Sequence, residues 1–407
     1  MTLSEELEWR GFVNQTTFKD IKELDKQKRT FYWGVDPSAA SMTIGHLAAA
    51  MMVRIFMRHG FKPVLLVGGA TGLIGDPDGK AQERDLKTTA EVAKNKEGVA
   101  DQYKRLFNGQ DFKLVDNYDW FKSIGYLEFL RDVGKHVPMR VMLNREFVKE
   151  RLKDDGAGIS YAEFSYSLIQ GYDFLHLYEK HGVTLQLAGS DQWGNSIAGV
   201  DLIRRKTGEE THVWTFPLII NKETGVKFGK TEAGAVWLDP ELTSPYRFYQ
   251  FWLNVDDDSV EDYLKIYTTL DKPAIDKVMK QFKEDKGGRA AQKTLAYEVT
   301  KIVHGKEVAD SVRRVSEVLF GKGEFLGLSA SEQTSLAEEL PNVKVGKNLA
   351  ETLVQAGLAS SNSEANRFIG AGSVSINGQK IVGDMVDFQK GKNLLKRGKN
   401  SFAIVEA

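Results

Sequence analysis

Residues 32–46 read Tyr32-Trp-Gly-Val-Asp-Pro-Ser-Ala-Ala-Ser-Met-Thr-Ile-Gly-His46, and the class of the fold turns on this stretch. The apolar run 31–35 stops at Asp36-Pro37, a turn pair, and an Ala/Met-rich helical pattern follows from about Gly45. The pattern predicts a strand, a short loop and a helix start. Unpaired amides and the positive end of the helix dipole gather at such a start, which suits a phosphate or a polarised ribose oxygen. Gly45 has no Cβ, so a flat ring can lie against the backbone. The stretch is suited to holding a nucleotide.

Working outward, apolar runs at 31–35, 63–67, 113–116 and 184–188 read as short buried strands. The patterns at 47–58, 127–133 and 161–179 read as helices between them. Strands alternating with helices predict an α/β domain with a mostly parallel sheet covered on both faces. Ligands on such sheets bind beyond the carboxyl ends of the strands. Residues 32–46, 68–76 and 189–195 would lie at three such ends. From Pro245 to about Gly321 the period is helical, with Leu295, Val299, Ile302 and Val303 as one stripe and Gly305 placed to end it. A linker is expected around 326–347. Beyond it, the segment 363–378 reads as a capped helix, a glycine turn and a strand ending in the hairpin pair Asn377-Gly378.

The 407 residues suffice for two or three domains, and 42% hydrophobic with 27% charged residues is ordinary for a globular chain. There is no cysteine, which excludes disulfides and thiolate metal sites and fits a reducing compartment. The acidic N-terminus lacks a signal-peptide core, and no apolar run approaches the roughly 20 residues that span a bilayer. A cytoplasmic protein with no membrane association is expected. The net charge of −1 excludes a general polycation, so any nucleic-acid contact must use local basic patches. Residues 347–407 hold eight Lys/Arg against five Asp/Glu, concentrated in Lys390, Lys392, Lys396, Arg397 and Lys399.

Neither standard glycine-rich nucleotide motif is present. Residues 68–75 (Gly-Gly-Ala-Thr-Gly-Leu-Ile-Gly) do not fit G-x-G-x-x-G, and Gly225 is one residue too close to Gly229-Lys230-Thr231 for a P-loop. The run Lys227-Phe-Gly-Lys-Thr231 has another use. Two lysines flanking a glycine can swing onto a phosphoryl group as charge builds there.

A Gly-His pair opening the first helix, with a Lys-x-x-Lys-Thr loop late in the same domain, resembles the two signatures of the class I aminoacyl-tRNA synthetases. The blocks Gly68-Gly-Ala-Thr-Gly-Leu-Ile-Gly-Asp-Pro77, Phe164-Ser-Tyr-Ser-Leu-Ile-Gln-Gly-Tyr-Asp173, Gly189-Ser-Asp-Gln-Trp-Gly-Asn195 and Lys227–Thr231 narrow the resemblance to the bacterial tyrosyl-tRNA synthetases, along nearly the whole chain. The segment 363–378 is similar to the S4 RNA-binding module that ends bacterial members. The resemblance implies a Rossmann-like catalytic domain over 1–222 with a connective insertion at about 120–160. It further implies a mobile lysine loop and linker over 223–244, a helical anticodon-binding domain over 245–325 and an S4-like domain over 340–407.

It also implies roles. Tyr32 and Asp173 would meet the phenolic hydroxyl of substrate L-tyrosine. Asp76, Tyr166 and Gln170 would hold its ammonium group; Tyr166, Gln170 and Asp173 share one helix face at i, i+4 and i+7. Gln186 would also line the tyrosine pocket, and Gln192 would sit near the carboxylate and α-phosphate. Asp36, Gly45, His46, Gly189 and Asp191 would bind ATP, Asp191 through ribose hydroxyls, with Lys80 and Arg84 as pyrophosphate contacts. Lys227, Lys230 and Thr231, with His46 and Thr43, would carry the activation step. ATP would arrive with Mg2+, with no prosthetic group and no dedicated metal site. The partners implied are tRNA(Tyr) and a second copy of the chain, with a homodimer interface in the insertion offered by Phe121, Tyr126, Val137, Met139, Val141 and Met142.

Two positions depart from the family pattern. Thr43 stands where the first signature has a histidine, keeping a hydroxyl but losing the imidazole, and Trp33 follows Tyr32 where relatives often carry a small polar residue or Cys. Competing readings are a tryptophanyl-tRNA synthetase, which gives no reason for Tyr32 paired with Asp173, and an RNA-binding protein that kept the fold and lost catalysis.

Overall fold

The computed structural model describes residues 1–77, 86–153, 155–220, 225, 228, 230–231, 234–321, 323–381 and 388–407. Strand β1 (Thr30–Val35) is buried at Phe31, Tyr32, Trp33 and Val35, on both of its faces, as a central parallel strand must be. With β2 (Lys62–Val67), β3 (Lys113–Asp116), β4 (Val183–Gly189) and β5 (His212–Phe216) it forms one sheet in the order β3-β2-β1-β4-β5, parallel throughout. The four expected strands are present, but β3, at the edge of the sheet, is exposed at Lys113 and Leu114 rather than buried. The fifth, β5, was not anticipated; residues 14–17 bond along it, Thr16 bridging Trp214 in antiparallel sense.

The strand order reverses between β1 and β4, so the crevice at their carboxyl ends is the place for a ligand. Helices cover the sheet. The Ile44–Arg58 helix follows β1, and the Thr89–Leu106 helix precedes β3. The Tyr161–His181 and Trp193–Thr207 helices lie close together: a Cβ on Gly199 would stand 2.9 Å from the Phe174 Cβ, so the smallest residue sets their spacing. Phe174, Leu175 and Leu177 share a core with Tyr32, Val64, Leu202 and Val213.

The chain divides into two compact units, Met1–Thr243 with Asp256–Ala291, and Ser244–Val255 with Gln292–Ala407. The expected helical domain over 245–325 is therefore divided. Its helices Val260–Tyr267 and Lys272–Glu284 belong to the first unit. The physical reason is Arg10, whose guanidinium donates to the carbonyls of Lys265 (2.6 Å), Thr268 (3.1 Å) and Leu270 (2.7 Å) at the end of the Val260–Tyr267 helix.

In the first unit β6 (Lys230–Thr231) and β7 (Gly234–Ala235) pair in antiparallel sense as a two-stranded sheet. The second unit carries β8 (Asn342–Lys344), β9 (Val374–Ile376), β10 (Gln379–Lys380), β11 (Lys392–Arg397) and β12 (Ser401–Glu406), in the order β10-β9-β11-β12-β8. Asn377 (φ 48°) and Gly378 (φ 84°) make the expected hairpin turn, whose two central residues both require positive φ. Gly305 ends the Ala290–His304 helix as expected. Two expectations are corrected. The stretch 326–347 is no linker: Ser329 caps the Ala330–Glu339 helix in a reciprocal bond with Glu332, Leu336 is buried, and β8 pairs with β12. The cap of the Asn362–Gly370 helix is Ser361, accepting from the Glu364 amide, two residues before the expected start.

The 120–160 insertion is built of short helices, Tyr126–Asp132, Met139–Leu143 and Glu146–Arg151 among them. Its apolar residues divide. Phe121, Val137 and Met142 pack on the core, whereas Tyr126, Met139 and Val141 are exposed, as are Leu127 and Leu143. Among the described residues no helix is long and apolar enough to cross a membrane.

Candidate active site

The site grows from the ends of β1, β2 and β4. Asp36 follows β1 directly; its Oδ1 accepts from the Thr71 hydroxyl (2.6 Å) and its Oδ2 from the Tyr166 hydroxyl (2.6 Å). Gly68 makes this possible, since a Cβ there would lie 2.0 Å from Asp36 Oδ1. The Asn117 amide nitrogen donates both to Thr71 Oγ1 (3.0 Å) and to Asp173 Oδ2 (3.1 Å), and Trp120 Nε1 donates to Asp173 Oδ1 (2.9 Å). Asn117 is itself oriented by the Ala70 amide, which donates to its Oδ1 at 2.6 Å. One line of hydrogen bonds thus runs from Tyr166 through Asp36, Thr71 and Asn117 to Asp173.

Burial governs the electrostatics here. It holds the Asp173 carboxyl above the ordinary carboxylate range, with bonds from Asn117 and Trp120 pulling the other way and Asp36 adding to the rise. Burial first, and the Asp173 charge second, raise the Tyr32 phenol. The Tyr32 hydroxyl and Gln186 Oε1, on directly paired positions of β1 and β4, are buried without a hydrogen-bond partner among the described residues. A buried polar atom left unpaired costs about 1–3 kcal/mol, so a pocket that tolerates two is one that a polar ligand completes.

Opposite them, Asp76 accepts from Gln192 Nε2 (2.5 Å) and Asn195 Nδ2 (3.4 Å), and Asn195 also donates to Gln192 Oε1 (3.1 Å). Gln170 is partly exposed one turn beyond Tyr166 on the same helix. Because Tyr166 gives its proton to Asp36, its oxygen presents lone pairs, as an ammonium partner requires.

Beyond the end of β1, Thr43 is the N-cap of the Ile44–Arg58 helix. Its amide donates to His46 Nδ1 at 3.1 Å, and its hydroxyl lies 3.1 Å from the same nitrogen. An Nδ1 that accepts a backbone N–H leaves the ring proton on Nε2. Burial lowers the imidazole to about 4, against the raising effect of Asp191, so His46 is a neutral Nε2–H donor at neutral pH. Gly45 is exposed, and a Cβ there would meet only Thr43 Oγ1 at 3.5 Å. The fold does not demand glycine at 45; a ligand lying flat on the helix opening would. Gly189 ends β4, and its Cα leaves room for the Asp191 carboxylate, which a Cβ would approach to 2.7 Å. Trp33 is a buried core residue, edge-on to Tyr103 at 5.3 Å between centroids.

The two signatures meet through the backbone. Ile44 N donates to Val236 O (3.1 Å) and Leu238 N to Met42 O (2.9 Å), so the chain leaving the lysine loop is clamped beside the start of the first-signature helix. Lys230 and Thr231 form β6, while Lys227, Lys80 and Arg84 lie outside the described residues. Four polar residues of the network were not singled out from the sequence. Thr71 and Asn195 stand within quoted blocks, which was the available signal. Asn117 and Trp120 follow β3 with no local pattern to mark them.

Comparison with known proteins gives the family. The family model described as tRNA synthetases class I (W and Y) matches residues 24–321, and that of the tyrosine–tRNA ligase SYY-like C-terminal domain matches 332–405. The tyrosine–tRNA ligase of Geobacillus stearothermophilus is 44% identical over 421 residues, covering 100% of this chain and 99% of its own. That of Limosilactobacillus reuteri is 44% identical over 388 residues, 94% of this chain and 92% of its own. A C-terminally truncated mitochondrial tyrosyl-tRNA synthetase from Aspergillus nidulans superposes with a TM-score of 0.70 at 32% identity, covering 78% of this chain and 94% of that one. The chain belongs to the class I tRNA synthetases, in the tyrosyl-tRNA synthetase group of bacterial type.

Proposed function

We infer that this enzyme is a tyrosine–tRNA ligase and that the residues described above do the work as follows. The carboxylate of L-tyrosine attacks the α-phosphorus of ATP, supplied as its Mg2+ complex; the bond to the bridging oxygen breaks and pyrophosphate leaves. The terminal ribose hydroxyl of tRNA(Tyr) then attacks the carbonyl of tyrosyl-adenylate, releasing AMP. No side-chain nucleophile is needed. Asp173 and Tyr32 bind the phenol, while Asp76, Tyr166 and Gln170 bind the ammonium group, with Gln186 and Gln192 completing the pocket. His46 Nε2–H, Asp36, Gly45, Asp191, Gly189 and the amides after Thr43 hold the nucleotide, with Asp36 also setting Tyr166. Lys227, Lys230 and Thr231, with Lys80 and Arg84 on the pyrophosphate, offset the charge that builds in the transition state.

The observation that carries the assignment is the buried Tyr32 hydroxyl, without a partner among the described residues, beside the buried Asp173. A phenol both donates and accepts, and so can satisfy both groups; an indole N–H only donates. The same reading takes in a homodimer, supported by exposed Leu127, Met139, Val141 and Leu143 on the insertion, tRNA contact by the basic C-terminal residues, and a cytoplasmic location. ATP–pyrophosphate exchange with each amino acid supplied singly tests the assignment. Exchange with tyrosine alone is expected; exchange with tryptophan, or none, refutes it.

A further inference from the structure

Phe228 is an apolar residue placed between the two lysines of a polar loop. Its ring is buried and stacks on Tyr263, with centroids 4.2 Å apart and planes 26° from parallel, and Tyr267 lies 6.0 Å away. Its amide donates to Ile219 O at 2.8 Å. Both tyrosines belong to the Val260–Tyr267 helix, which packs on the Ile44–Arg58 helix that opens with Gly45 and His46. The far ends of these two helices are tied together. Arg10, which caps the carbonyls of the first, is paired with Glu6, and Glu6 also holds Arg58 and His59 at the close of the second.

We propose that Phe228 seated on Tyr263 is the device that sets the lysine loop against the first signature, and that Tyr263 is a positioning residue for amino-acid activation. The inference rests on the assignment of Lys227 and Lys230 to the transition state. A lysine loop clamped only where it leaves, at Val236–Leu238, is free to carry its charges away from the phosphate. A buried aromatic stack at Phe228, which stands between the two lysines in sequence, fixes that point of the chain without using a polar group that could compete for the phosphate. The Val260–Tyr267 helix serves as the common reference for both signatures.

The test is the rate of a single turnover of tyrosyl-adenylate formation, with tyrosine affinity measured separately by equilibrium titration. Tyr263→Ala and Phe228→Ala each slow adenylate formation by about 10- to 100-fold with tyrosine affinity kept within about twofold, since a displacement of about 1 Å is enough for such a loss. Tyr263→Phe, which keeps the stack, restores the rate. In a Lys230→Ala background, Tyr263→Ala costs less than about threefold more, because both changes act through the same group. Phe228→Ala empties the seat from the loop side, so the comparison survives if Tyr263→Ala does not fold. Rates within about twofold of the parent for both alanine variants, or losses that multiply in the double variant, overturn the proposal. A Lys230→Ala enzyme with an unchanged rate overturns the assignment of the lysine beneath it. That outcome is distinct from a slow Lys230→Ala enzyme beside a normal Tyr263→Ala one, which rejects the stack alone.

Discussion

The two ends of the site are built differently. At the end assigned above to tyrosine, Asp173, Tyr32, Asn117 and Gln186 are buried; the Asp173 oxygens are held by Asn117 and Trp120, while the Tyr32 hydroxyl and Gln186 Oε1 are without a partner among the described residues. At the end assigned above to the nucleotide lie the exposed Gly45 and the backbone opening of a helix, which the proposed mechanism joins to the lysine signature. On the proposed assignment, the difference follows from what each end must accomplish. Telling a phenol from a phenyl ring requires buried groups that suffer when left unpaired. Neutralising charge that appears only during reaction requires cations and helix amides that can reach the phosphate.

Substitutions at the two ends are expected to fail in different ways. The largest effect is expected from Asp173→Ala. Tyrosine affinity should fall by about 100-fold, as for loss of a buried charged partner, while ATP affinity is kept. Measurement of kcat/KM for tyrosine and phenylalanine checks it; a variant that still rejected phenylalanine as strongly would remove Asp173 from the discrimination. Asn117→Ala should follow with about a 10-fold loss in kcat/KM for tyrosine, since it leaves one Asp173 oxygen without its amide donor. An unchanged value would mean that Trp120 alone holds the carboxylate.

Gly45→Ala sharpens the contrast from the nucleotide side. Nothing in the protein opposes a Cβ there, and Ala favours a helix by up to about 1 kcal/mol, so the melting temperature should hold or rise. The KM for ATP should nevertheless increase several-fold, about 1 kcal/mol of lost contact. An unchanged KM for ATP would show that no ligand lies on this glycine.

The smallest effect on activity is expected from Glu6→Gln, remote from both ends. Glu6 is held at about 2 in the fold, below its ordinary 4.5: burial pushes it up, and bonds from Arg58, His59 and Arg10 more than reverse this. A carboxyl depressed by folding contributes stability that is present in full above the unfolded value and is lost as pH falls toward the folded one. The melting temperatures of parent and Glu6→Gln should therefore differ at pH 7 and converge between about pH 4.5 and 2. A gap independent of pH would mean that the ion cluster is not the source.

Much of the fold was legible along the chain. The runs around β1, β2 and β4 carried their own boundaries, because a buried parallel strand is a nearly continuous apolar run that stops at turn residues. The Asn377-Gly378 hairpin was equally local, a matter of two residues that tolerate positive φ. The strand β5 was missed because five residues with His212 and Thr215 among them have no period that separates them from a loop. The stretch 326–347 was mistaken for a linker because β8 is a strand only by virtue of its pairing with β12, far along the chain. Trp33 became a core residue through Tyr103, a partner 70 residues away.

The same division holds for the site. By itself the sequence determined the class of chemistry: a helix opening at Gly45-His46, a Lys-x-x-Lys-Thr loop and carboxylates at helical spacing are local features, and local features survive being read in one dimension. Tertiary structure alone decided how those parts are held. Asn117 reaches Asp173 across 56 positions, Thr43 sets the proton on His46 by a single backbone bond, and Phe228 finds its seat on Tyr263. Hydrogen bonds and ring contacts between distant segments depend on direction and distance in space, which no spacing along the chain records.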